Sequence, residues 1–474
     1  MFLSVHNKQV IIKRYRRDDI GIPLYRSLNR FIAGVFCSVI FLYAFFGINN
    51  YSMIVDNSNI FAANVVNVIC YFLILFAFIK WKISPTMMTI ITVLYSMIFV
   101  ALNLYLFWDS TGAFFEFTGS DSYNYHQFST TVSEMGVIDG IKDYVENTRY
   151  DFDDAGFVFY LSVIYWLTDS ILLERLINIL LNAASVVLIY KISKRFIIRK
   201  LAIITSISYG IASFTIYYQS SGLKEILMIT LVLISYYLYY HFTDRRTVLR
   251  GGMFILVTSM LMFFRIPLVI FIFLSVAITE FINRRGLSFG RLIVTFLALS
   301  AVLGVGILQY DKLEQYTRRF NTPLRIDAAE KGLERPSVSL FMRSTAMLAG
   351  IFGPFPSVVP LDNNQDTVMH GPGLILKAFL SSYFIFGVFF AFRRKIYLFL
   401  PLILFCLMHI VSLSYLVHTF KIRNVLPYFP FFFLIAYYGF QMVICNQHPA
   451  VRQSVFLTNF FVIMIVFFWN YLRF

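Results

Sequence analysis

The chain is a succession of apolar runs about 20 residues long, each bounded by charged or turn-forming residues, and that pattern admits few folds other than a bundle of membrane-crossing helices. A helix needs about 20 mostly apolar residues to cross a bilayer. Segments of that kind begin near Phe31, Ile60, Met87, Ile171, Leu201, Ile226, Leu292, Leu374, Tyr397, Val425 and Val455, and a longer apolar stretch from Gly252 to Ile282 is broken by Arg265 and Pro267. With 59% hydrophobic and 14% charged residues and a mean hydropathy of +0.72, the chain is far from a soluble domain, which is about a quarter charged. The expected fold is an all-α polytopic membrane protein of thirteen transmembrane helices, with two large external loops that carry surface or re-entrant helices.

Basic residues in short loops stay on the cytoplasmic side. The run Lys8, Lys13, Arg14, Arg16, Arg17, Arg26 and Arg30 therefore places the N-terminus inside, and its length of polar sequence ahead of Phe31 argues against a cleaved signal peptide. Counting crossings puts Lys80 and Lys82 inside, the segment from Asp109 outside, and Lys191, Lys194, Arg195, Arg199 and Lys200 inside. This holds if Phe157 to Leu167, too short to span, lies along the outer surface or re-enters. The stretch Gly252 to Ile282 has basic clusters on both sides, Arg245, Arg246 and Arg250 before it and Arg284, Arg285 and Arg291 after it. An even number of crossings follows, read as two short helices with Arg265 and Pro267 at an outward apex. The expected layout is a basic cytoplasmic segment (1–30), three spans (31–108), a first external loop with a surface helix (109–170), central spans (171–308), a second external loop with a re-entrant element (309–373) and C-terminal spans (374–474), ending outside.

Although the chain carries a net charge of +15, Asp109 to Gly156 holds ten acids against Lys142 and Arg149, a net of −8. Ionised groups in hydrocarbon cost several kcal/mol each, so this segment lies outside the bilayer core. The overall positive charge is the cytoplasmic anchor pattern and gives no support to a nucleic-acid partner. Cys37, Cys70, Cys406 and Cys445 show no metal-ligand or disulfide spacing.

Sidedness gathers the unusual polar residues on one face. Asp121, Tyr123, Tyr125 and His126 stand in the run GSDSYNYHQ of the first loop; Lys224 and Glu225 stand where one helix ends outward and the next begins; Arg265 is at its apex, Arg343 precedes an apolar segment, and His418, Lys421 and Arg423 share the last outward turn. Each has a plainer reading. Lys224 and Glu225 fit an interfacial ion pair, His370 and His418 fit structural or loop histidines, and Asp151, Asp153 and Asp154 fit a solvated acidic face as well as a cation site. An arginine inside apolar sequence, by contrast, usually serves a site. Arginine and lysine suit phosphate, an acid can accept a hydroxyl proton, and tyrosines offer rings and hydroxyls to sugars. Together they suggest a lipid-linked phosphosugar donor and a hydroxyl acceptor at the outer leaflet, with Asp121 as base and Lys224, Arg265 and Arg423 on the phosphate.

The order of these features resembles the GT-C-type integral membrane glycosyltransferases, specifically bacterial members that use polyprenyl-phosphate sugars. Asp121 and Tyr125 match an acid of D-x-x-x-Y-like context in the first external loop. Arg175 and Asn178 match an R-x-x-N span, Lys224 and Glu225 a small-residue turn ending in Lys-Glu, and Arg265 and Pro267 an Arg-Pro helix break. Gly353 to Pro356 match a GPFP element, and Arg423, Pro427 and Pro430 an Arg-x-x-x-Pro-x-x-Pro span start. The resemblance covers about Tyr105 to Phe440. It implies a polyprenyl-linked sugar donor, a glycan or glycolipid acceptor, a setting in membrane lipid of the bacterial inner membrane with the active site on the periplasmic face, and a divalent cation as an optional cofactor with no metal ligands assigned. Three spans precede the acidic loop and Asp121 has no acidic doublet, the nearest acid being Glu116; both depart from the family pattern. Two other readings remain open: a repeat-unit polymerase of O-antigen or capsule, with Arg265, Arg343 and Arg423 on a diphosphate, and a lipid-linked glycan flippase.

Overall fold

The computed structural model describes residues 21–50, 55, 57–117, 120–147, 152–245, 247–282, 347–348, 350–359, 365–416, 422–445 and 449–471. Among these residues the regular secondary structure is helical throughout. The chain begins with α1 (Gly21–Asn49), α2 (Ser58–Lys80) and α3 (Pro85–Thr111). The ends of α3 are written in its sequence. The Ser84 hydroxyl accepts the Met87 N–H at 3.1 Å ahead of Pro85, whose missing donor costs nothing at a first helical position. Gly112 then closes the helix at φ +73°, its N–H on the Trp108 carbonyl at 2.8 Å.

Beyond α3, the acidic segment folds into α4 (Ser120–Glu134), α5 (Val137–Asn147) and α6 (Phe152–Leu167), which pack on one another. The chain returns through α7 (Ile171–Ser193) to a broken span, α8 (Arg199–Gly210) and α9 (Ser213–Ser220), bent by 46°. A break inside apolar surroundings strands backbone carbonyls that cost several kcal/mol if left unpaired. Here the Ser208 carbonyl accepts from the Tyr71 hydroxyl (2.8 Å), that of Tyr209 from Thr215 (2.9 Å) and that of Gly210 from the Asn182 amide (2.8 Å). Buried side chains on α2, α7 and α9 thus make the bend tolerable.

Next come α10 (Glu225–Asp244), α11 (Val248–Met260, prolonged by a 3-10 turn at Leu261–Phe263) and α12 (Ile266–Ile282). The Lys224 ammonium donates to the Phe264 carbonyl at 2.8 Å, while Tyr236 and Tyr239 reach Ser275 (2.8 Å) and Glu280 (3.1 Å) on α12. The break at Phe264 therefore lies level with the start of α10 and the end of α12 level with its last turns. The stretch folds as two antiparallel helices meeting at Arg265, each roughly 25 Å long.

The remaining elements are α13 (Gln365–Met369), α14 (Gly371–Arg393), α15 (Leu400–Leu416), α16 (Ile422–Val425, leading into a 3-10 turn at Leu426–Tyr428), α17 (Phe429–Cys445) and α18 (Pro449–Tyr471). α14 and α17 approach to backbone contact. A Cβ on Gly439 would lie 1.9 Å from the Tyr383 carbonyl oxygen and one on Gly387 2.2 Å from that of Ile435, the small-residue packing that holds helices together in lipid.

Among the described residues, nine helices are long and apolar enough to cross a bilayer and the bent α8–α9 pair makes a tenth; α11 and α12 are apolar but shorter. The protein is an all-α polytopic membrane protein. The expected thirteen crossings are not reached in these residues: α11 and α12 are shorter than a span, and the apolar segment near Leu292 lies outside the described residues.

Candidate functional site

One end of the bundle collects the start of α4, the α9–α10 turn, the α11–α12 apex, α13 and α16. Asp121, in the first turn of α4, accepts an ion-paired hydrogen bond from the Arg423 guanidinium on α16. The pair is half-exposed, with side-chain accessibilities of 44% and 38%. Lys224, ahead of α10, is nearly buried and pairs with Asp154 on α6 while also donating to the Phe264 carbonyl. Tyr125, one turn after Asp121, lies against Asp154; burial and that carboxylate raise its phenol well above the ordinary range. Glu225 is 2% exposed, and one of its carboxylate oxygens is buried without a hydrogen-bond partner.

The predicted set divides. Asp121, Tyr125, Lys224, Glu225 and Arg423 come together. Tyr123 and His126 do not: the Tyr123 ring packs on Phe115, and His126 meets the Tyr165 hydroxyl at 3.1 Å and the rings of Phe115 and Tyr165. Burial and the charge of Arg175 lower the imidazole pKa there. At the apex it is Phe264, not Arg265, that supplies the carbonyl to Lys224, and the Arg265 side chain lies within electrostatic reach of His409, whose Nε2 contacts the Asn424 carbonyl at 2.7 Å. Arg343, His418 and Lys421 lie outside the described residues.

Two expectations are corrected. Lys224 pairs with Asp154 rather than with Glu225, because α6 packs against the α11–α12 apex and brings its first turn to the ammonium. Asp154 is therefore no member of a solvated face. Glu116, the acid nearest Asp121 in sequence, is buried as well, at 5% exposed. Glu116 lies just before α4, and one oxygen accepts the Ser122 N–H at 3.4 Å. Burial is the main cause that lifts its carboxyl to about 7; the Ser122 hydrogen bonds oppose the shift and Asp366 adds to it.

A second polar group includes Glu116, Asp366 and His370. Asp366 on α13 accepts from the Tyr217 hydroxyl, and burial raises its carboxyl too. His370, read from sequence as structural or loop, is 2% exposed, with its ring against Tyr217 (4.4 Å between centroids) and Tyr218 (5.4 Å). Burial pushes its imidazole down to about 3, the Asp366 backbone offsetting part of the shift. Tyr218 lies within electrostatic reach of Glu225, Asp366, Arg423 and Glu116, which joins the two groups. The R-x-x-N pair frames this region: Asn178 donates to Glu174 at 2.6 Å, Glu174 pairs with Arg175, and Arg175 donates to the Phe114 carbonyl at 3.3 Å. Gly222 of the SSGLKE turn, at φ +74°, allows that guanidinium in, since a Cβ there would lie 2.7 Å from both of its terminal nitrogens.

Sequence reading also missed Lys377, which is fully buried in the second turn of α14. Its ammonium donates to the carbonyls of Ile351 and Gly353 and lies 4.6 Å from the Phe432 ring centroid. The GPFP element is thus held inside the bundle, with Tyr428 on the Gly350 carbonyl and Asn470 on that of Pro356. The signal was available, because a lysine inside the apolar run LILKAFL is costly without partners.

Among the described residues no three His, Cys, Asp or Glu side chains gather as a metal ligand set. No protein-family model and no curated protein matches the chain.

Proposed function

We propose that the protein is a membrane-embedded glycosyltransferase that moves a sugar or glycan unit from a polyprenyl-(di)phosphate donor to an acceptor hydroxyl at the external face of a bacterial inner membrane. The observation that carries the reading is the Asp121–Arg423 ion pair beside Lys224 and Glu225: an acid and two cations at one end of an apolar bundle.

In the proposed reaction the acceptor oxygen bonds to the anomeric carbon, the bond from that carbon to the phosphate oxygen breaks, and Asp121 takes the hydroxyl proton. Arg423 and Lys224 hold the departing phosphate, Arg423 through two parallel hydrogen bonds and Lys224 as a point charge. As found, Arg423 occupies the carboxylate that must act as base. Half-exposed ion pairs contribute only about 0–1 kcal/mol, so an arriving phosphate can exchange for Asp121 on the guanidinium at little cost. Donor binding then frees the base.

Reconstitution with a lipid-linked sugar presented on the outer leaflet tests the reading. We expect covalent extension of the acceptor by the wild-type chain and none by Asp121→Asn inserted at equal level. Product from Asp121→Asn at the wild-type rate removes the base, and movement of the lipid across the bilayer without extension favours a flippase. The length of product added separates single transfer from block polymerisation.

A further inference from the structure

Among the described residues, seven of the side-chain polar atoms that are buried without hydrogen-bond partners lie at this end. Glu116 Oε2, Arg175 Nε, Gln219 Oε1, Glu225 Oε2, Arg423 Nε and both ring nitrogens of His370 are buried and unpaired. Buried polar groups in folded proteins are nearly all satisfied, and each exception calls for a reason. These belong to one neighbourhood: the His370 ring packs at a tilt against Tyr217 and Tyr218, Gln219 follows them on α9, and Tyr218 lies within electrostatic reach of Glu116, Glu225 and Arg423.

The chemistry of the set narrows the ligand. Glu116, Gln219 and Glu225 offer acceptor oxygens, while Arg175 and Arg423 offer N–H donors and His370 one of each. A phosphate, which only accepts, leaves the acids unserved. A cation leaves the arginines unserved. Hydroxyl groups donate and accept at once, and a hexose presents several of them at fixed angles. We propose that Glu116, Gln219, Glu225 and His370 form a subsite for the sugar of the donor, beneath the Asp121–Arg423 pair. This rests on the glycosyl-transfer reading and assigns the sugar's place within it. Arg423 links the pair to the subsite: Nη1 engages half-exposed Asp121 while Nε is buried, and in the proposed arrangement the phosphate that displaces Asp121 carries its sugar toward the buried groups.

The full chain in detergent, titrated with farnesyl phosphate and with farnesyl-phosphoryl hexoses, tests the assignment. We expect the wild type to bind at least one hexose conjugate more than tenfold tighter than farnesyl phosphate. Glu116→Gln and His370→Phe should each cut that preference roughly ten- to a hundredfold, the effect of losing a charge-assisted or buried hydrogen bond, with the Kd for farnesyl phosphate unchanged. His370→Phe keeps an aromatic ring on Tyr217 and Tyr218, and an unchanged Kd for farnesyl phosphate shows that each variant is folded. Undiminished preference in both variants overturns the subsite. A wild type that binds farnesyl phosphate but prefers no hexose overturns the subsite alone, whereas one that binds no probe counts against glycosyl transfer itself.

Discussion

Lys224 and Asp154 form a largely buried ion pair whose ammonium also serves the Phe264 carbonyl, tying the start of α10 to α6 and to the α11–α12 apex. Removing one partner of a buried pair leaves the other charge uncompensated, at a cost of about 3–5 kcal/mol. We expect Lys224→Met to destabilise the protein by about 3 kcal/mol, the low end because the Asp154 side chain keeps 22% of its surface exposed. Lys224→Met with Asp154→Asn should recover most of that loss without recovering transfer. Equal unfolding midpoints for single and double variants would dismiss the pair as a stability element.

Glu116 makes stability depend on pH. Burial raises its carboxyl from 4.5 to about 7, so between those values the folded state holds a proton that the unfolded state has released. Stability therefore falls as pH rises through that window and levels off above it. Asp366, also raised, adds to this slope; His370, lowered from 6.5 to about 3, opposes it, because its proton is bound by the unfolded state first. Subtracting the Glu116→Gln curve isolates the Glu116 term. We expect the thermal midpoint of the wild type relative to Glu116→Gln to decline from pH 5 to pH 7 and to flatten as the pH passes beyond 7. A flat difference would show that the carboxyl titrates normally.

The helices and the meeting of Asp121 with Arg423 were legible because both follow from a one-dimensional property. Apolar length marks the helices, and charge parity assigns sides, so two polar turns 302 residues apart could be placed on one face. The same parity anticipated two helices meeting at Arg265. Pairing within that face was not legible. Nothing in the acidic segment separates Asp154, which meets Lys224, from solvated Asp139, since the choice is made by how α6 packs on the apex. Asp366 and His370 were hidden for a similar reason: their burial depends on α9 and α13, which no periodicity joins.

The α14–α17 seam predicts a strict glycine. The Cβ built on Gly439 meets backbone atoms, the Tyr383 carbonyl oxygen at 1.9 Å and the Gly387 amide at 2.7 Å, which cannot rotate aside as a side chain would. Overpacking of a core costs about 1–3 kcal/mol and more when backbone must move. We expect Gly439→Ala to lower the thermal midpoint and Gly439→Val to prevent recovery of monodisperse protein. A Gly439→Val chain as stable as wild type would mean that the two helices sit farther apart.

Lys377 predicts how the GPFP element is held. The ammonium, with no water-exposed surface, serves the Ile351 and Gly353 carbonyls, and Ser381 also donates to Ile351 at 2.9 Å. Methionine has a similar length and no donor, so Lys377→Met leaves the Gly353 carbonyl unserved while Ser381 still covers Ile351. An unpaired buried carbonyl costs about 1–3 kcal/mol, offset in part by removal of a buried charge. The net effect should be a loss of about 1–2 kcal/mol, concentrated in the segment that ends at Ser357, now 3% exposed. Labelling of Ser357→Cys by a membrane-impermeant maleimide reads this directly, with the parent chain subtracting the signal of the exposed Cys37. We expect faster labelling when Lys377→Met is added, and no change when Lys191→Met, at the far end of α7, is added instead. Equal rates in all three chains would mean that Tyr428 and Asn470 hold the element without the ammonium, and Lys377 would then need another role to justify its burial.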